Sequence, residues 1–574
     1  MDAVMPESGI VRRVSGPLVE VEGRAAMSEL VLLGTAAVPG EVVAIRGDLL
    51  TVQAYEYTGG LTPGDTAVPQ ARPLCAELRP GLLGGVFDGL LRPLDGAGIW
   101  LGGTAAKRSA ARWRFEAAAK TGDAVGAGGL LGTVAVPGPV VHRVLVPVSA
   151  VPPGASSELE WIAASGDYAA DEVIARVGGA EVSLTELWPI RKQRPVTRRV
   201  EAAAMLHTGQ RALDLLFPIA KGGTAAVPGG FGTGKTVLLQ QIAKWCDADV
   251  IVYIGCGERG NEMADVVEDF ARLEDPRTGG RLAERTVIIA NTSNMPMMAR
   301  ESSVYAGVCV AEYYRDMGYE VVVIADSTSR WAEALREFAS RSGALPAEEG
   351  FPANLASALA GFYERAGAVE VLGGGRGSVT VVGAVSPPGG DLAEPVTVHT
   401  ERFVRTRWTL DRDLAYARHY PAVSWADSFS RDQAVLAGDE SRRTRVAHAL
   451  AEADRLADLV DLVGINALPP DERMSVLAGR IVREGLLQQN SMSPADGYSP
   501  EAKTAALADA MLAAADSCRE AARAAGPAAV EAVDFGPLLR ARDEAGPDDL
   551  EIVARRRDQV LAELGALIGG GAAS

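Results

Sequence analysis

The stretch from Gly222 to Arg272 constrains this chain more than any other part of its sequence. Its central segment reads GGFGTGKT and matches the phosphate-binding loop pattern G-x-x-x-x-G-K-[ST]. Glycines let successive backbone N–H groups point into one concavity, which can cradle phosphate oxygens. Lys235 adds a point charge for the β- and γ-phosphates, and the Thr236 hydroxyl can ligate Mg²⁺. The predicted nucleotide-binding residues here are Gly229, Gly230, Phe231, Gly232, Thr233, Gly234, Lys235, Thr236 and Val237.

The residues around this motif favour a phosphate-binding loop over a chance glycine-rich turn. The apolar run 224–227 before it predicts a short buried strand, and Val237 to Trp245 after it has helical spacing. A phosphate would then meet the N-terminus of a helix, where N–H groups and the helix dipole favour an anion. The sequence therefore predicts that the chain binds a nucleoside triphosphate.

Length and composition narrow the function further. At 574 residues the chain should form about three or four domains. Its net charge of −18 counts against nucleic acid as the main partner, because neutralising phosphates requires a basic face. Five scattered cysteines without a C-x-x-C pair count against a disulfide framework or zinc site and fit the cytoplasm. The acidic N-terminus does not resemble a signal peptide, so we expect any membrane role to go through partners.

The chain as a whole predicts a multi-domain α/β protein. Short alternating runs between Gly and Pro residues predict a small N-terminal β-barrel, and similar punctuation predicts a second β-rich module inserted before the nucleotide-binding part. A Pro- and Gly-rich stretch between them predicts a linker with one short helix. The predicted segments are a barrel at 1–72, the linker at 73–110, the inserted module at 111–190, an α/β domain at 191–435 and a helical domain at 436–574. Helical periodicity in the last segment predicts helices at 440–463, 471–488, 503–525 and 548–568.

The α/β domain has four apolar runs separated by helical patterns. The runs cover 248–255, 286–290, 320–326 and 379–385. Their Val and Ile residues are continuous rather than alternating, which predicts parallel strands buried on both faces under helices. Ligands of such sheets sit at the carboxyl ends of the strands, so the residues that follow each run are the candidates for chemistry.

Four polar residues occupy such positions. Asp326 ends an apolar run, where a phosphate-loop enzyme places the acid of its Mg²⁺ shell, although a helix N-cap is an alternative. Glu258 could orient a water toward a γ-phosphoryl group, with Arg259 beside it; spacing alone slightly favours an exposed polar turn. Arg330 is a candidate for stabilising transition-state charge within the chain.

These and other stretches resemble the catalytic A subunit of the V/A-type rotary ATPases nearly end to end. The stretches that carry the resemblance are 85–95 (GVFDGLLRPLD), 222–228 (GGTAAVP), 243–250 (AKWCDADV), 255–263 (GCGERGNEM), 325–337 (ADSTSRWAEALRE), 386–391 (SPPGGD) and 487–490 (LQQN).

The resemblance implies a β-barrel crown, an inserted bulge, a RecA-like core and a C-terminal helical domain. It implies ATP hydrolysis or synthesis with Mg²⁺, coupled to H⁺ or Na⁺ transport. Three such subunits would alternate with three B subunits around a rotating stalk, together with peripheral stalk subunits, in a soluble head peripheral to the membrane. A finger arginine would come from the B subunit, which fits the lack of a distinct one here.

Residue by residue, the resemblance implies a complete catalytic site. Lys235 and Thr236 would bind phosphate and Mg²⁺, Glu258 would polarise the attacking water, and Arg259 and Arg330 would line the phosphate site. Asp326 would support the metal, with Glu262 as a further metal candidate. Tyr420, Gln489 and Met492 would lie near the adenine base of the nucleotide.

The chain departs from the family pattern near the adenine base, in the stretch 351–360 and in the phosphate loop. Met492 stands where the family has an aromatic residue, and Tyr420 replaces a common Phe; methionine packs on a base with less defined geometry. Asn354 and Ala358 replace a usual Tyr and Arg, and Thr233 stands where some relatives carry a regulatory Cys. These changes bear on base affinity, subunit contacts and redox control rather than on phosphate chemistry.

Three alternatives remain at this level. A secretion-system export ATPase shares the core but lacks a module like 111–190. A ring-shaped helicase conflicts with the acidic charge and with the lack of an RNA-binding stretch in the barrel. A non-catalytic nucleotide-holding subunit typically loses the loop lysine or the Glu258-type base, and both are present.

Overall fold

The computed structural model describes residues 8–95, 111–435 and 440–571. The chain divides into two compact units. The first comprises Met1–Ala202, Ala248–Val385 and Val398–Phe403, and the second comprises Ala203–Asp247, Ser386–Thr397 and Val404–Ser574. This division cuts across the five segments predicted from the sequence, whose boundaries stay a prediction.

The described residues contain 26 strands. They are β1 (Gly9–Ser15), β2 (Leu18–Glu22), β3 (Glu29–Leu33), β4 (Val38–Arg46), β5 (Leu49–Ala54), β6 (Thr66–Pro73), β7 (Cys75–Leu78), β8 (Val86–Phe87), β9 (Arg112–Ala117), β10 (Ala124–Gly126), β11 (Leu130–Val134), β12 (His142–Leu145), β13 (Ser156–Ile162), β14 (Gly166–Ala169), β15 (Val173–Val177), β16 (Ala180–Ser183), β17 (Glu186–Pro189), β18 (Arg198–Val200), β19 (Thr224–Pro228), β20 (Val250–Cys256), β21 (Thr286–Asn291), β22 (Glu320–Asp326), β23 (Gly367–Glu370), β24 (Arg376–Val385), β25 (Thr406–Arg407) and β26 (Phe429–Ser430).

The described residues also contain 13 α-helices and two π-helical segments. The α-helices are α1 (Lys235–Trp245), α2 (Gly260–Arg272), α3 (Met297–Asp316), α4 (Thr328–Ser342), α5 (Leu355–Tyr363), α6 (Pro395–Phe403), α7 (Arg412–Tyr416), α8 (Glu440–Val463), α9 (Pro470–Val482), α10 (Glu501–Ala525), α11 (Pro527–Glu531), α12 (Gly536–Glu544) and α13 (Leu550–Gly571). The π-helical segments are Ala212–Leu216 and Arg483–Leu487. None of the helices in these described ranges is long and apolar enough to cross a membrane.

The first unit begins with the predicted β-barrel. Strands β1 to β6 close in the order β1-β2-β5-β4-β3-β6. Inward-facing valines such as Val11, Val21 and Val52 form its buried core, as expected for strands whose alternate residues face one side. The N-terminal barrel is confirmed.

The inserted module is also β-rich, as predicted. It consists of two four-stranded sheets, in the orders β10-β13-β15-β16 and β12-β11-β9-β14. Buried residues from both sheets, among them Phe115, Leu131 and Ile174, share one hydrophobic cluster. Burial of these apolar side chains holds the two sheets together.

The nucleotide-binding part of the first unit has the predicted parallel sheet. Strands β24, β22, β20, β21 and β8 are neighbours in that order, and each pair is parallel. All seven residues of β20 are buried. Helix α3 approaches the sheet closely at Gly307, where a Cβ would lie 2.3 Å from Cδ1 of Ile254. Glycine permits this approach because it has no side chain.

The short helix predicted in the linker is wrong for the described residues 73–95. Strand β7 pairs antiparallel with β17, and β8 extends the parallel sheet beside β21. Arg92 donates to Asp88 at 2.8 Å and 2.6 Å and closes the following turn. Long-range pairing with β21 therefore overrides the local pattern. The predicted linker residues 96–110 lie outside the described residues.

Buried ion pairs connect α3 to Arg194, which follows the inserted module, and to Arg365, which follows α5. Glu312 accepts hydrogen bonds from Nε and Nη2 of Arg365 at 3.0 Å and 2.6 Å, and from the backbone N–H of Arg194 at 3.0 Å. Arg194 in turn pairs with Asp316 and Glu186. Such pairs fix one arrangement, because an unpaired buried charge is costly.

The second unit holds β19, α1 and the C-terminal helices. Strand β25 runs parallel to β19 and pairs antiparallel with β26. The predicted helix at 440–463 matches α8, and the patterns at 503–525 and 548–568 match α10 and α13 within a few residues. The prediction for 471–488 corresponds to α9 and the π-helical segment after it. The short helices α11 and α12 were missed, because Pro and Gly residues interrupt the local periodicity.

Candidate functional site

The phosphate loop of the second unit has the predicted strand-loop-helix context. Buried strand β19 leads into residues 229–234, and α1 begins at Lys235. Gly232 and Gly234 have φ angles of 81° and 87°, which favour glycine. Gly229 allows close packing, since a Cβ there would lie 2.8 Å from that of Leu410. The loop is therefore shaped by its glycines and ends at a helix N-terminus, an arrangement suited to an anion.

Lys235 and Thr236 are half-buried at the start of α1. The ammonium of Lys235 donates to the carbonyls of Gly229 and Gly230 at 2.5 Å and 2.8 Å. The buried Thr233 hydroxyl also donates to the Gly230 carbonyl, at 2.9 Å. The lysine is therefore held over the loop, and its role toward phosphate stays a prediction, as does that of Thr236 toward Mg²⁺.

Other predicted nucleotide-binding residues differ in their surroundings. Phe231 is 93% exposed, and Val237 is also exposed on the first turn of α1. The ring of Tyr420 is partly exposed and lies against Gly234, where a Cβ would be 3.6 Å from its Cε1. Tyr420 therefore lies next to the phosphate loop, and its partly exposed ring offers a surface on which a nucleobase could stack.

Gln489 and Met492 occupy very different positions. Gln489 is buried; its Nε2 donates to the carbonyl of Gly209 at 2.8 Å, and its Oε1 accepts from the Arg211 N–H at 2.9 Å. Met492 is 88% exposed and anchored through its backbone N–H to Asn490. The side-chain amide of Gln489 is therefore engaged by the chain itself, and its contact with a nucleotide stays a prediction, as does that of Met492.

The first unit gathers the predicted acids at the carboxyl ends of its parallel strands. Glu258 follows β20, and its carbonyl accepts the N–H of Ser293 at 2.9 Å. Asp326 is the buried last residue of β22. These strands pair in register up to Gly255 and Asp326, so the two acids leave the same edge of the sheet. This is the edge at which parallel sheets bind ligands.

The electrostatics of Glu258 suit a proton acceptor. Burial is the main cause that raises its pKa to about 7, followed by the negative charges of Asp326 and Glu262, while Arg330 opposes the shift. A carboxylate with this pKa is a stronger base than one with an ordinary pKa, and it is mostly ionised once the pH exceeds about 7. The sequence alone slightly favours an exposed turn at this position, whereas Glu258 is half-buried among other acids.

The two predicted arginines border this cluster from exposed positions. Arg259 lies 3.7 Å from Glu262. Arg330 pairs with Glu333 at 3.0 Å, and its Cβ packs against Gly257. In these contacts both arginines pair with partly exposed carboxylates. Their side chains can therefore turn toward an anionic ligand. Their roles at phosphate, like those of Asp326 and Glu262 at a metal, stay predictions.

Two further residues of this cluster were not singled out from the sequence. The buried hydroxyl of Tyr253 donates to Oδ2 of Asp326 at 3.1 Å. Arg300, in the first turn of α3, places its Nε 3.1 Å from where a Cβ of Gly257 would be. The only signal for Tyr253 is a hydroxyl inside an otherwise apolar strand, and the signal for Arg300 is a cation soon after the end of β21.

Asn354 and Ala358 lie at the start of α5. Asn354 precedes the helix and is exposed, and Ala358 is half-buried on its second turn. Their effect on subunit contacts stays a prediction.

Four family models match successive parts of the chain. The nucleotide-binding domain of the ATP synthase alpha/beta family matches residues 209–430, and the beta-barrel domain of that family matches 11–69. The ATP synthase alpha/beta subunit barrel-sandwich domain matches 104–191, and the C-terminal domain of V and A type ATP synthase matches 440–523. The last match counts against an export ATPase or a helicase.

Curated relatives match most of the chain. A V-type ATP synthase alpha chain of Anaeromyxobacter dehalogenans (strain 2CP-C) is 48% identical over 514 residues, which cover 86% of this chain and 88% of the relative. The A subunit of an A-type ATP synthase of Haloferax volcanii is 44% identical over 553 residues, with 93% and 94% covered.

A solved structure supports the fold. The assembled ATPase EscN of the enteropathogenic E. coli type III secretion system matches with a TM-score of 0.64 at 20% identity, covering 88% of this chain and 100% of that chain. Identity at this level speaks to fold alone. The sequence matches, in contrast, extend over the barrel, the inserted module, the nucleotide-binding domain and the C-terminal helices, and this chain therefore belongs to the ATP synthase alpha/beta family, among the V-type alpha chains and A-type A subunits.

Proposed function

We propose that this chain is the catalytic subunit of a V/A-type rotary ATPase, which hydrolyses or synthesises ATP in a complex that moves H⁺ or Na⁺ across a membrane. The observation that carries the catalytic role is Glu258, which is half-buried at the carboxyl end of β20 with a pKa raised to about 7. A carboxyl group with a pKa perturbed in this way, at the ligand-binding edge of a parallel sheet, marks a candidate functional site.

The residues predicted to act on the phosphates have separate roles in this proposal. The loop amides and Lys235 hold the β- and γ-phosphates, and Glu258 accepts a hydrogen bond from the attacking water and aligns it with the γ-phosphoryl group. Arg259 and Arg330 stabilise the charge that develops on the phosphoryl oxygens. Catalysis is then mainly positioning and electrostatic stabilisation, as is general for phosphoryl transfer.

The oxygen ligands for Mg²⁺ are available on the chain. Mg²⁺ usually keeps several waters and binds through one or two protein oxygens plus the substrate phosphates. The Thr236 hydroxyl and the Asp326 carboxylate would serve, partly through water, with Glu262 as a further ligand. When bound, the ion would neutralise charge on the phosphate oxygens. Tyr253 holds Oδ2 of Asp326 by a hydrogen bond, which suits an acid that supports a metal.

The B subunit of the same complex completes the site in this proposal. Three A and three B subunits alternate in a ring, and the B subunit supplies an arginine finger, which can add about a thousandfold or more in rate. Central and peripheral stalk subunits connect the ring to the membrane part. The chain thus sits on the cytoplasmic side as part of the soluble head and reaches the membrane only through other subunits.

The decisive experiment is Glu258→Gln in the complex purified with its native partners. We expect ATP binding to be retained and ATP hydrolysis to fall by about 100-fold or more, because glutamine cannot accept the proton. Glu268→Gln on the exposed face of α2, where Glu268 pairs with Arg272, is the matched control and should keep wild-type turnover. Wild-type hydrolysis by the Glu258→Gln complex would refute this role.

A second measurement tests the shared site. The purified chain without its partners should hydrolyse ATP slowly, since the finger arginine is expected from the B subunit. Full activity of the isolated chain would contradict that part of the proposal while leaving the Glu258 result intact.

A further inference from the structure

Arg211 is a fully buried arginine that joins three places in the second unit. It directly precedes the π-helical segment Ala212–Leu216. Its Nε donates to the carbonyl of Leu486 at 2.6 Å, its Nη2 to that of Gln488 at 2.7 Å, and its Nη1 to Oδ1 of Asp496 at 2.6 Å. One guanidinium therefore holds both ends of a segment that we call the base-side loop, residues 489–496.

Asp496 closes this loop from the other side. Its carboxylate is also fully buried, and its Oδ2 accepts the backbone N–H of Asn490 at 2.6 Å. The tip between them carries the exposed Met492. The base-side loop, with its exposed apolar tip, is thus held by a buried ion pair in which each guanidinium nitrogen and each carboxylate oxygen makes a hydrogen bond. Such a network favours a single conformation of the loop.

Gln489 connects this arrangement to the phosphate loop. Its Oε1 accepts the backbone N–H of Arg211, and its own backbone N–H donates to the carbonyl of Tyr420 at 2.8 Å. The Tyr420 ring lies against Gly234 of the phosphate loop. Two hydrogen bonds therefore lead from Arg211 to the residue whose aromatic ring borders the phosphate loop.

We propose that Arg211, through its ion pair with Asp496, is a positioning residue for the base side of the nucleotide site. The inference rests on the proposed function, because it assumes that ATP lies on the phosphate loop with its base toward Tyr420 and the base-side loop. In these contacts, Arg211 touches neither the glycines of the phosphate loop nor Lys235. We therefore expect Arg211 to affect the affinity for the nucleoside part of ATP and to leave the affinity for the polyphosphate part unchanged.

Arginine is specifically required in this geometry. Its planar fork reaches two carbonyls and a carboxylate at once, whereas a lysine ammonium is a single point and cannot match all three directions. Leaving Asp496 without its partner would also leave a buried charge unpaired. Arg211→Lys should therefore recover only part of what Arg211→Met loses.

The experiment compares two probes on the full chain by calorimetry, ATP and inorganic tripolyphosphate, each with Mg²⁺. We expect Arg211→Met to weaken ATP binding about 10-fold or more, while tripolyphosphate binding changes by less than about 2-fold. Arg473→Met is the matched control: it breaks another arginine–carboxylate pair of the second unit, with Glu531, and should leave both affinities unchanged.

The outcomes separate the inference from the proposed function. A wild-type chain that binds neither probe contradicts the proposed function. A wild-type chain that binds both, with an Arg211→Met chain that binds ATP equally well or loses both probes by the same factor, overturns the inference alone. If circular dichroism shows that the Arg211→Met chain does not fold, the affinities for ATP and tripolyphosphate are measured on Asp496→Asn instead. This substitution keeps the shape of the side chain.

Discussion

The hydroxyl of Tyr253 donates a 3.1 Å hydrogen bond to Oδ2 of Asp326, and both residues are buried within the parallel sheet of the first unit. One oxygen of Asp326 is thereby oriented by a neighbouring strand. Burial, followed by the charge of Asp326, raises the pKa of Tyr253 well above its usual value, so the phenol stays protonated and remains the donor. Asp326 can therefore act as a fixed anion at the sheet edge.

Replacing Tyr253 by Phe should make the complex require more Mg²⁺. The ring would keep its edge contact with Phe270, but Asp326 would lose its orienting donor. We expect half-maximal ATPase activity to need about 10-fold more Mg²⁺, as for other residues that hold a metal-binding side chain. Tyr313→Phe, which removes a buried hydroxyl bonded to His142, is the control and should leave the Mg²⁺ titration unchanged. An unaltered titration for Tyr253→Phe would argue against Asp326 as a metal-supporting acid.

The pH profile of kcat/KM should report the carboxyl group of Glu258. Because its pKa is raised to about 7 and the ionised form is the active one, kcat/KM should fall about tenfold per pH unit below that value. Glu262→Gln removes a charge that raises this pKa and should move the acidic limb to lower pH. Arg330→Gln removes a charge that lowers it and should move the limb to higher pH. Shifts in the same direction for both variants would contradict this electrostatic account.

Lys235→Ala should abolish most of the phosphate affinity. Its ammonium is held over the loop carbonyls of Gly229 and Gly230, where a phosphate would replace them as its partner. A charge-assisted contact of this kind corresponds to about 10- to 100-fold in affinity, measured by calorimetry with ATP. Lys221→Ala, which removes a lysine paired with Asp247 in the same unit, is the control. Equal ATP affinity in both variants would exclude Lys235 from phosphate binding.

Glu312→Ala should strongly destabilise the first unit. It leaves the buried guanidinium of Arg365 without its carboxylate, which costs about 3–5 kcal/mol of unfolding free energy for a broken buried pair. The measurement is urea denaturation of the full chain, in the transition that includes α3. The double variant Glu312→Leu/Arg365→Met removes both charges and should be more stable than Glu312→Ala alone. If the double variant is the less stable of the two, unpaired charge is not the cause.

Much of the fold follows from local sequence. Continuous Val and Ile runs predict β20, β21, β22 and β24 as buried parallel strands, and the helical periodicity of α8 predicts its limits to the residue. The phosphate loop is equally clear, because a required pattern of glycines and one lysine lies between an apolar strand and an apolar helix face. These features depend on residues a few positions apart, which periodicity and turn chemistry describe directly.

The environment of the candidate site was decided by tertiary structure. From spacing, Glu258 resembles an exposed turn residue, whereas its burial in the folded chain, followed by the charges of Asp326 and Glu262, raises its pKa. The predicted linker contributes β8 to the parallel sheet, because Val86 and Phe87 pair with β21, a contact that no local pattern describes.

The sequence by itself determined that this chain has a phosphate loop before a helix, a parallel sheet and helices after it. Only the tertiary structure decided that Tyr253 orients Asp326 and that Arg211 reaches Gln489 and Asp496, which lie 278 and 285 positions away. The physical reason is that the folded chain, and no local pattern, brings such distant groups to hydrogen-bonding distance and removes the water that would otherwise screen their charges.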